Sequence, residues 1–327
     1  IFQQFCGGES IKESLKKSNE LAKFNIKTIL DYSIEGKSSE EDFNKTVDEI
    51  IATIKEAKDN INIPFAVFKV TGICRFEVLE KSNNSESELS EEMKIQYEKL
   101  VDRIDQICNA AFESSVPLFI DAEESWIQDG IDRIIRQMSL KYNSKSAIVF
   151  NTIQMYRHDR LAFFENEIKH AKENNYILGM KIVRGAYMEK ERERAEKLGY
   201  PSPIQPNKEA SDRDYNSALE LSINNLKNVS ICAGTHNEES AIFLTELLLK
   251  NNISNNDPRV YFAQLLGMSD HISFNLAHHD YLVAKYVPYG PIKEVLPYLL
   301  RRADENTSVA GQTTRELSLI IKEKERR

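Results

Sequence analysis

Short apolar runs alternate with long amphipathic stretches along this chain, eight times over, and few folds accept that order. The strand-like runs lie at 28–32, 65–70, 118–121, 147–154, 176–183, 229–233, 260–265 and 281–286. Helix-like periodicity falls between them, at 40–60, 91–113, 126–140, 158–174, 209–226, 238–251 and 291–306. Strict alternation predicts parallel strands joined by crossover helices. Eight units are the number that closes a (βα)8 barrel, and 327 residues accommodate such a barrel of roughly 250 residues with extra helices. An open doubly wound sheet is the structural rival.

The ends of the runs favour the barrel. Nearly every one finishes on a polar residue that a buried strand would not otherwise want: Asp31, Lys69, Asp121, Gln154, Lys181 with Arg184, Thr235 with His236, Gln264 and Tyr286. A closed barrel brings such residues to the mouth at its C-terminal face, whereas an open sheet collects only those near its switch point. No GxGxxG follows the first run, so a Rossmann nucleotide site has no support. The fold expectation is a single α/β domain over residues 1–327, a distorted (βα)8 barrel. Residues 1–25 form an N-terminal helical extension against its exterior, and 307–327 form a C-terminal helix.

Charge narrows the partners. Lys and Arg number 43 against 51 Asp and Glu, a net charge of −8, which opposes a general nucleic-acid-binding role. The four cysteines, Cys6, Cys74, Cys108 and Cys232, are scattered, with no CxxC and no Cys/His pair at zinc spacing, so they read as free thiols. No apolar run approaches the roughly 20 residues that cross a bilayer. The polar stretch 80–92 reads as a solvent-exposed loop.

Several constellations carry chemistry. Lys69 ends an apolar run, where an ammonium group is expensive unless it meets an anion; it reads as an electrostatic anchor or a Schiff-base amine. Asp121-Ala122-Glu123-Glu124 offers carboxylates for acid–base work or for holding cations, and no histidine stands beside them at metal-ligand spacing. Lys181-Ile182-Val183-Arg184-Gly185-Ala186-Tyr187 sets two cations, a glycine turn and an aromatic at one strand end, suited to an anionic or electron-rich ligand. Thr235-His236-Asn237 adds hydroxyl, imidazole and amide donors suited to a nucleotide phosphate or ribose. His278-His279 reads as a surface pair. Tyr286-Val287-Pro288-Tyr289-Gly290-Pro291 precedes a helix ending Tyr298-Leu299-Leu300-Arg301-Arg302-Ala303-Asp304-Glu305-Asn306. On that helix Glu305 lies four residues past Arg301 and can brace it, so two permanent cations can face a small anion.

Taken together, the segments at 181–187, 286–291 and 298–306 resemble the proline dehydrogenase family. The likeness covers nearly the whole chain, is tightest from Tyr176 onward, and is nearest the monofunctional branch, in which no aldehyde dehydrogenase domain is expected to follow. The resemblance implies an FAD-dependent distorted barrel that oxidises L-proline to Δ1-pyrroline-5-carboxylate, with electrons passed on to a membrane quinone. It implies that Arg301, Arg302 and Lys69 bind the proline carboxylate, that Tyr187, Tyr286 and Tyr298 shape the ring pocket, and that Asp121 pairs with Arg302. Lys181 would stand near flavin N5 and Gln154 against the isoalloxazine. Arg184, Gly185, Ala186, Thr235, His236, Asn237 and Gln264 would serve the rest of FAD, and Glu305 would orient the arginine helix. Position 181 departs from other branches, which carry Arg there. No metal or nucleic acid is implied. The expected location is cytoplasmic, with peripheral contact at the inner face of the membrane (the mitochondrial inner membrane in a eukaryotic cell). Two rivals remain on the residues alone: a Schiff-base lyase or aldolase using Lys69 or Lys181, and a non-catalytic protein that captures a small carboxylate.

Overall fold

A computed structural model describes residues 2–33, 39–308, 318 and 321–326; the side chains of residue 3 and of 301–308 are outside what it describes. Eight parallel strands close on themselves in sequence order: β1 (Ile26–Tyr32), β2 (Phe65–Lys69), β3 (Leu118–Asp121), β4 (Val149–Gln154), β5 (Leu178–Val183), β6 (Val229–Gly234), β7 (Val260–Leu265) and β8 (Val283–Tyr289). The last strand pairs with the first over seven rungs, Ile26 opposite Val283 to Tyr32 opposite Tyr289. The expected α/β barrel is therefore the fold, and no free strand edge is left at which Lys69 could simply reach solvent.

The helices are α1 (Phe2–Phe5), α2 (Ile11–Ala22), α3 (Glu40–Ala57), α4 (Phe76–Ser82), α5 (Glu91–Ser114), α6 (Ser125–Tyr142), α7 (Arg160–Glu173), α8 (Met188–Leu198), α9 (Lys208–Asn224), α10 (Glu238–Lys250), α11 (Asp270–His278) and α12 (Ile292–Ser308). Their starts follow local chemistry. Ser39, Ser90, Asn207 and Asn237 each accept a main-chain N–H of the first turn, and Glu40, Glu41 and Asp42 put negative charge at the positive end of α3. The stretch 80–92 is not an open loop: it contains the end of α4 and a single 3-10 turn at Glu86–Glu88. The short helices α4 and α11 carry too few turns to stand out from the sequence pattern, and α8 is charged nearly throughout and shows no apolar stripe.

Alternation along the strands divides the apolar residues into two cores. Ile29, Phe65, Val67, Phe119, Phe150, Cys232, Ala263, Ala284 and Tyr286 fill the lumen. Their neighbours, such as Leu30, Phe68, Ile120, Met180, Ile231, Phe262 and Val287, pack outward against the helices. Phe65 and Phe119 stack at 4.3 Å between ring centroids, with Phe150 and Tyr261 edge-on to Phe65. This aromatic plug makes the lumen a core rather than a channel.

Two helices leave the regular barrel order. α2 packs on β1 and β8, in the wall position a helix after β8 would take. Close approach fixes its entry: a Cβ on Gly7 would lie 2.4 Å from Val287 Cγ1, and Gly8 bridges to Tyr289. α12 is thereby displaced, and it packs with α1 through Phe5, Cys6, Met268, Val295, Tyr298 and Leu299. The N-terminal segment is thus part of the wall and of the mouth, beyond the exterior packing expected of it. Of the expected C-terminal helix at 307–327, only 318 and 321–326 past α12 are described, and these are helical. Among the described residues no helix is long and apolar enough to cross a membrane.

Candidate active site

Lumen-facing parity carries Asp31, Lys69, Asp121, Gln154, Lys181 and Tyr286 to the same end of the barrel, each next to a wall-facing apolar residue. Lys181, on β5, is 4% exposed; its ammonium group donates to Asp121 Oδ1 and, at 2.6 Å, to the Tyr286 hydroxyl. It also lies 4.8 Å from the Tyr286 ring and 5.4 Å from that of Phe119. The second cation, Lys69, stands 3.6 Å from Asp121 Oδ2 and 3.9 Å from Asp31 Oδ2. Burial alone would push Lys69 down, but the charges of Asp31 and Asp121 outweigh it and hold the ammonium above its ordinary value. Burial, with the charge of Asp121, raises the Tyr286 hydroxyl well above the usual phenol.

α12 covers this group. The Tyr298 ring is 4% exposed and 5.8 Å from Lys69 Nζ. Arg301, Arg302 and Glu305 lie in the helical backbone of α12, and their side chains are outside the described residues. The expected pairing of Asp121 with Arg302 falls there too; the partners of Asp121 among the described residues include Lys181 and Lys69. The acidic run past β3 splits three ways: Asp121 faces the lumen, Glu123 binds Thr71, and Glu124 pairs with Lys190 of α8.

A second group forms on the rim between β5, β6 and β7. Arg184 leaves β5 on the wall side. Its guanidinium donates to Asp212 at 2.6 Å, Thr235 Oγ1 at 2.8 Å and Ser240 Oγ at 2.8 Å, and lies 4.3 Å from the Tyr215 ring centroid. Thr235 Oγ1 accepts the N–H of Asn237, whose side chain caps α10, and His236 Nδ1 lies 3.0 Å from Ser269 Oγ. Gly185 has φ +126°, which L residues rarely adopt; it and Ala186 are exposed. Tyr187 precedes α8 and contributes to the electrostatic surroundings of Lys69.

Gln264 does not join the lumen group. It alternates with Ala263, so it faces the wall, where its amide donates to Thr235 O at 3.1 Å and accepts from Ser273 at 2.8 Å. Gln154 does face the lumen. It is 2% exposed, and its Oε1 has no hydrogen-bond partner among the described residues. A buried amide oxygen left this way costs on the order of 1–3 kcal/mol unless a ligand donates to it.

Several contributors carry no signal in the sequence beyond their residue type. Asp31 was legible only as one strand tip among eight, and nothing marked it as a partner of Lys69. Asp212 and Tyr215 of α9, which hold Arg184, look like any helix residues. Lys285 is fully buried yet faces the wall, donating to Met268 O at 2.6 Å and Asp270 Oδ1 at 2.8 Å, which pins the loop after β7. Among the described residues no group of three or more His, Cys, Asp or Glu is placed to hold a metal ion.

The chain resembles known proteins in both sequence and fold. The family model for proline dehydrogenase matches residues 14–315. The chain is 34% identical to the mitochondrial proline dehydrogenase 1 of Dictyostelium discoideum, over all of this chain and 65% of that protein. It is 39% identical to human mitochondrial proline dehydrogenase 1, over 72% of this chain and 40% of that protein. It is 31% identical to the carbapenem antibiotics biosynthesis protein CarD of Pectobacterium carotovorum subsp. carotovorum, over 99% of this chain and 83% of that protein. The chain thus spans less than two thirds of the length of the Dictyostelium and human relatives. Proline utilization A of Bdellovibrio bacteriovorus superposes with a TM-score of 0.83 at 21% identity, covering 94% of this chain and 32% of that one. With the family match running through every strand, this chain belongs to the proline dehydrogenase family.

Proposed function

We propose that the protein oxidises L-proline to Δ1-pyrroline-5-carboxylate with FAD as its cofactor and a quinone as the final acceptor. One observation carries this reading beyond family membership: a lysine pair, half-buried Lys69 and buried Lys181, shares Asp121 at the lumen mouth beneath Tyr298. That arrangement suits a small molecule with one carboxylate and one apolar ring.

The substrate's carboxylate would meet Lys69, joined by Arg301 and Arg302, through charge-assisted hydrogen bonds. Asp31 and Asp121 keep Lys69 charged so that it can do this. Tyr298, Tyr286 and Tyr187 would border the pyrrolidine ring, which removes most of its orientational freedom before reaction. The amine must be neutral to release electrons, so it sheds its proton to solvent or a pocket base. A bound FAD would supply the acceptor for the two electrons and the hydrogen that leave the ring carbon beside nitrogen. The residues present fit such a ring system: Gln154 Oε1 wants an N–H donor, and Lys181 provides positive charge on the adjacent strand, opposite Thr152 and one lumen-facing rung deeper. Arg184, with Thr235 and Asn237 at the start of α10, would serve the charged part of the cofactor. Gln264 would act there only by holding Thr235. Peripheral membrane contact belongs to the same reading, since a quinone resides in lipid. Residues 1–327 would act as one barrel domain.

A Schiff-base lyase is the weaker reading, because it needs a neutral amine and the carboxylates around Lys69 hold that group protonated. The deciding experiment is the absorption spectrum of the purified protein. A flavin band that bleaches on anaerobic addition of L-proline is expected; a colourless protein, or one trapped by borohydride with a carbonyl substrate, would refute the proposal.

A further inference from the structure

Beyond the last rung of the β2–β3 ladder, where Lys69 stands opposite Asp121, the two chains are joined once more by a side chain. Glu123 is 3% exposed. One of its oxygens accepts the main-chain N–H of Thr71 at 3.0 Å, and the other accepts the Thr71 hydroxyl at 2.5 Å. The spacing matches on both sides: Thr71 is two residues past Lys69, and Glu123 two past Asp121. The main-chain N–H of Glu123 donates to Gln128 Oε1 at 2.8 Å, and Gln128 in turn donates to Asp132 at 2.8 Å, so the clasp is anchored to the body of α6.

Such a buried carboxylate is costly to keep. Burial pushes the Glu123 carboxyl up to about 7, against the two bonds from Thr71. A rim turn at Val70–Gly72 could meet the same donors with water at less cost. What the clasp adds is geometry. β2 has five residues and β3 four, and the 3.6 Å approach of Lys69 to Asp121 occurs at their final rung, where strands fray most easily. Fixing Thr71 to Glu123 closes the ladder past that rung.

We propose that Glu123 is a positioning residue for the carboxylate-binding cation: by gripping Thr71 with both oxygens it fixes where Lys69 presents its ammonium group, and so sets affinity for the substrate's carboxylate without touching the substrate. This rests on the proline reading above. The structural consequence is specific to binding. Lys69 contributes charge toward the substrate's acid group, while the reacting ring carbon lies elsewhere, so loosening the clasp raises KM and leaves kcat nearly unchanged.

The test uses the FAD-loaded full chain and the variants Thr71→Val, Thr71→Ser and Glu123→Gln. Affinity is measured for cyclopentanecarboxylate, a ring carboxylate with no amine to oxidise, by titration calorimetry, alongside KM and kcat for L-proline. Thr71→Val and Glu123→Gln should raise Kd and KM together by about tenfold with kcat within twofold, about 1.4 kcal/mol of binding. Thr71→Ser keeps the hydroxyl and should stay within twofold throughout. Unchanged Kd and KM in folded variants, a fall in kcat alone, or a Thr71→Ser loss equal to that of Thr71→Val would overturn the clasp. If the first two variants do not fold, Glu123→Asp, one methylene short of Thr71, must raise KM, and an unmoved KM overturns it equally. Wild type that binds the ring carboxylate yet never oxidises proline refutes the function reading and leaves the clasp to be judged on Kd; wild type that binds neither overturns both.

Discussion

Replacing Lys69 with methionine tests the centre of the site, because it removes one half-buried cation while keeping an unbranched side chain only one atom shorter. At an effective dielectric of about 20, contacts of 3.6 Å to Asp121 and 3.9 Å to Asp31 are each worth roughly 4 kcal/mol before desolvation. Desolvating the ammonium group returns much of that. Removing one partner of a buried pair typically costs about 3–5 kcal/mol, because a carboxylate is left uncompensated. The Lys69 side chain is 18% exposed, and Asp121 keeps Lys181, so Asp31 bears most of the loss. Asp31 still accepts from Ser33 at 2.6 Å. We expect a net destabilisation of about 2–3 kcal/mol, or roughly 5 °C in Tm for a domain of this size. The functional effect is separate. A hydrogen bond to a charged acid group contributes about 1.5–3 kcal/mol, so Lys69→Met should raise the proline KM by about 10- to 100-fold while the flavin stays bound. The assays are dye-coupled proline oxidation and thermal unfolding by circular dichroism. A folded variant with KM within twofold of wild type would refute the assignment of Lys69, whatever its Tm.

Arg301→Met or Arg302→Met should each raise the proline KM sharply with FAD retained, and unchanged steady-state kinetics in both would count against the arginine helix. Glu123 supplies a pH test: its folded value is about 7, above the ordinary 4.5, because burial and Glu124 outweigh the Thr71 bonds and Lys69. Between those values the folded state keeps a proton that the unfolded chain has lost, so stability falls as pH rises from about 4.5 to 7, by about 3 kcal/mol. Glu123→Gln should therefore gain on wild type by that amount between pH 5 and 8 in urea unfolding, and parallel pH curves would exclude the shift. Gly185→Ala should destabilise by about 2–4 kcal/mol and lower FAD retention, since φ is +126° and the new Cβ would lie 2.5 Å from Tyr156 Cε1; a neutral change in Tm would count against that strain. Tyr286→Phe removes the hydroxyl that accepts from Lys181 at 2.6 Å and should cost about 1–2 kcal/mol in urea unfolding, with an unaltered midpoint as the contrary result.

The barrel and most of its mouth could be read from residue order. Eight alternations leave little choice of topology, and a polar residue that ends an apolar run usually has a reason to be there. That rule brings Asp31, Lys69, Asp121, Gln154, Lys181 and Tyr286 to the mouth from residue order alone. It does not give the direction of Gln264, because a strand's period of two says which residues share a face and not which face is the lumen. Closure and register settle that: β7 turns Ala263 inward and Gln264 toward α11, and β8 does the same with Ala284 and Lys285. Lys285 sits in a strand just as Lys69 does, yet one lysine anchors a loop and the other faces the mouth. Composition cannot tell them apart.

Local sequence therefore determined the elements, their parallel order and the chemical character of the strand tips, since periodicity, caps and side-chain type act over a few residues. Tertiary structure decided the partnerships. α2 took the wall beside β8 and sent α12 over the mouth, and the clasp of Thr71 on Glu123 spans 52 residues of chain. Such contacts depend on how the closed barrel sets its strand tips a few ångströms apart, a distance that no spacing along the chain encodes.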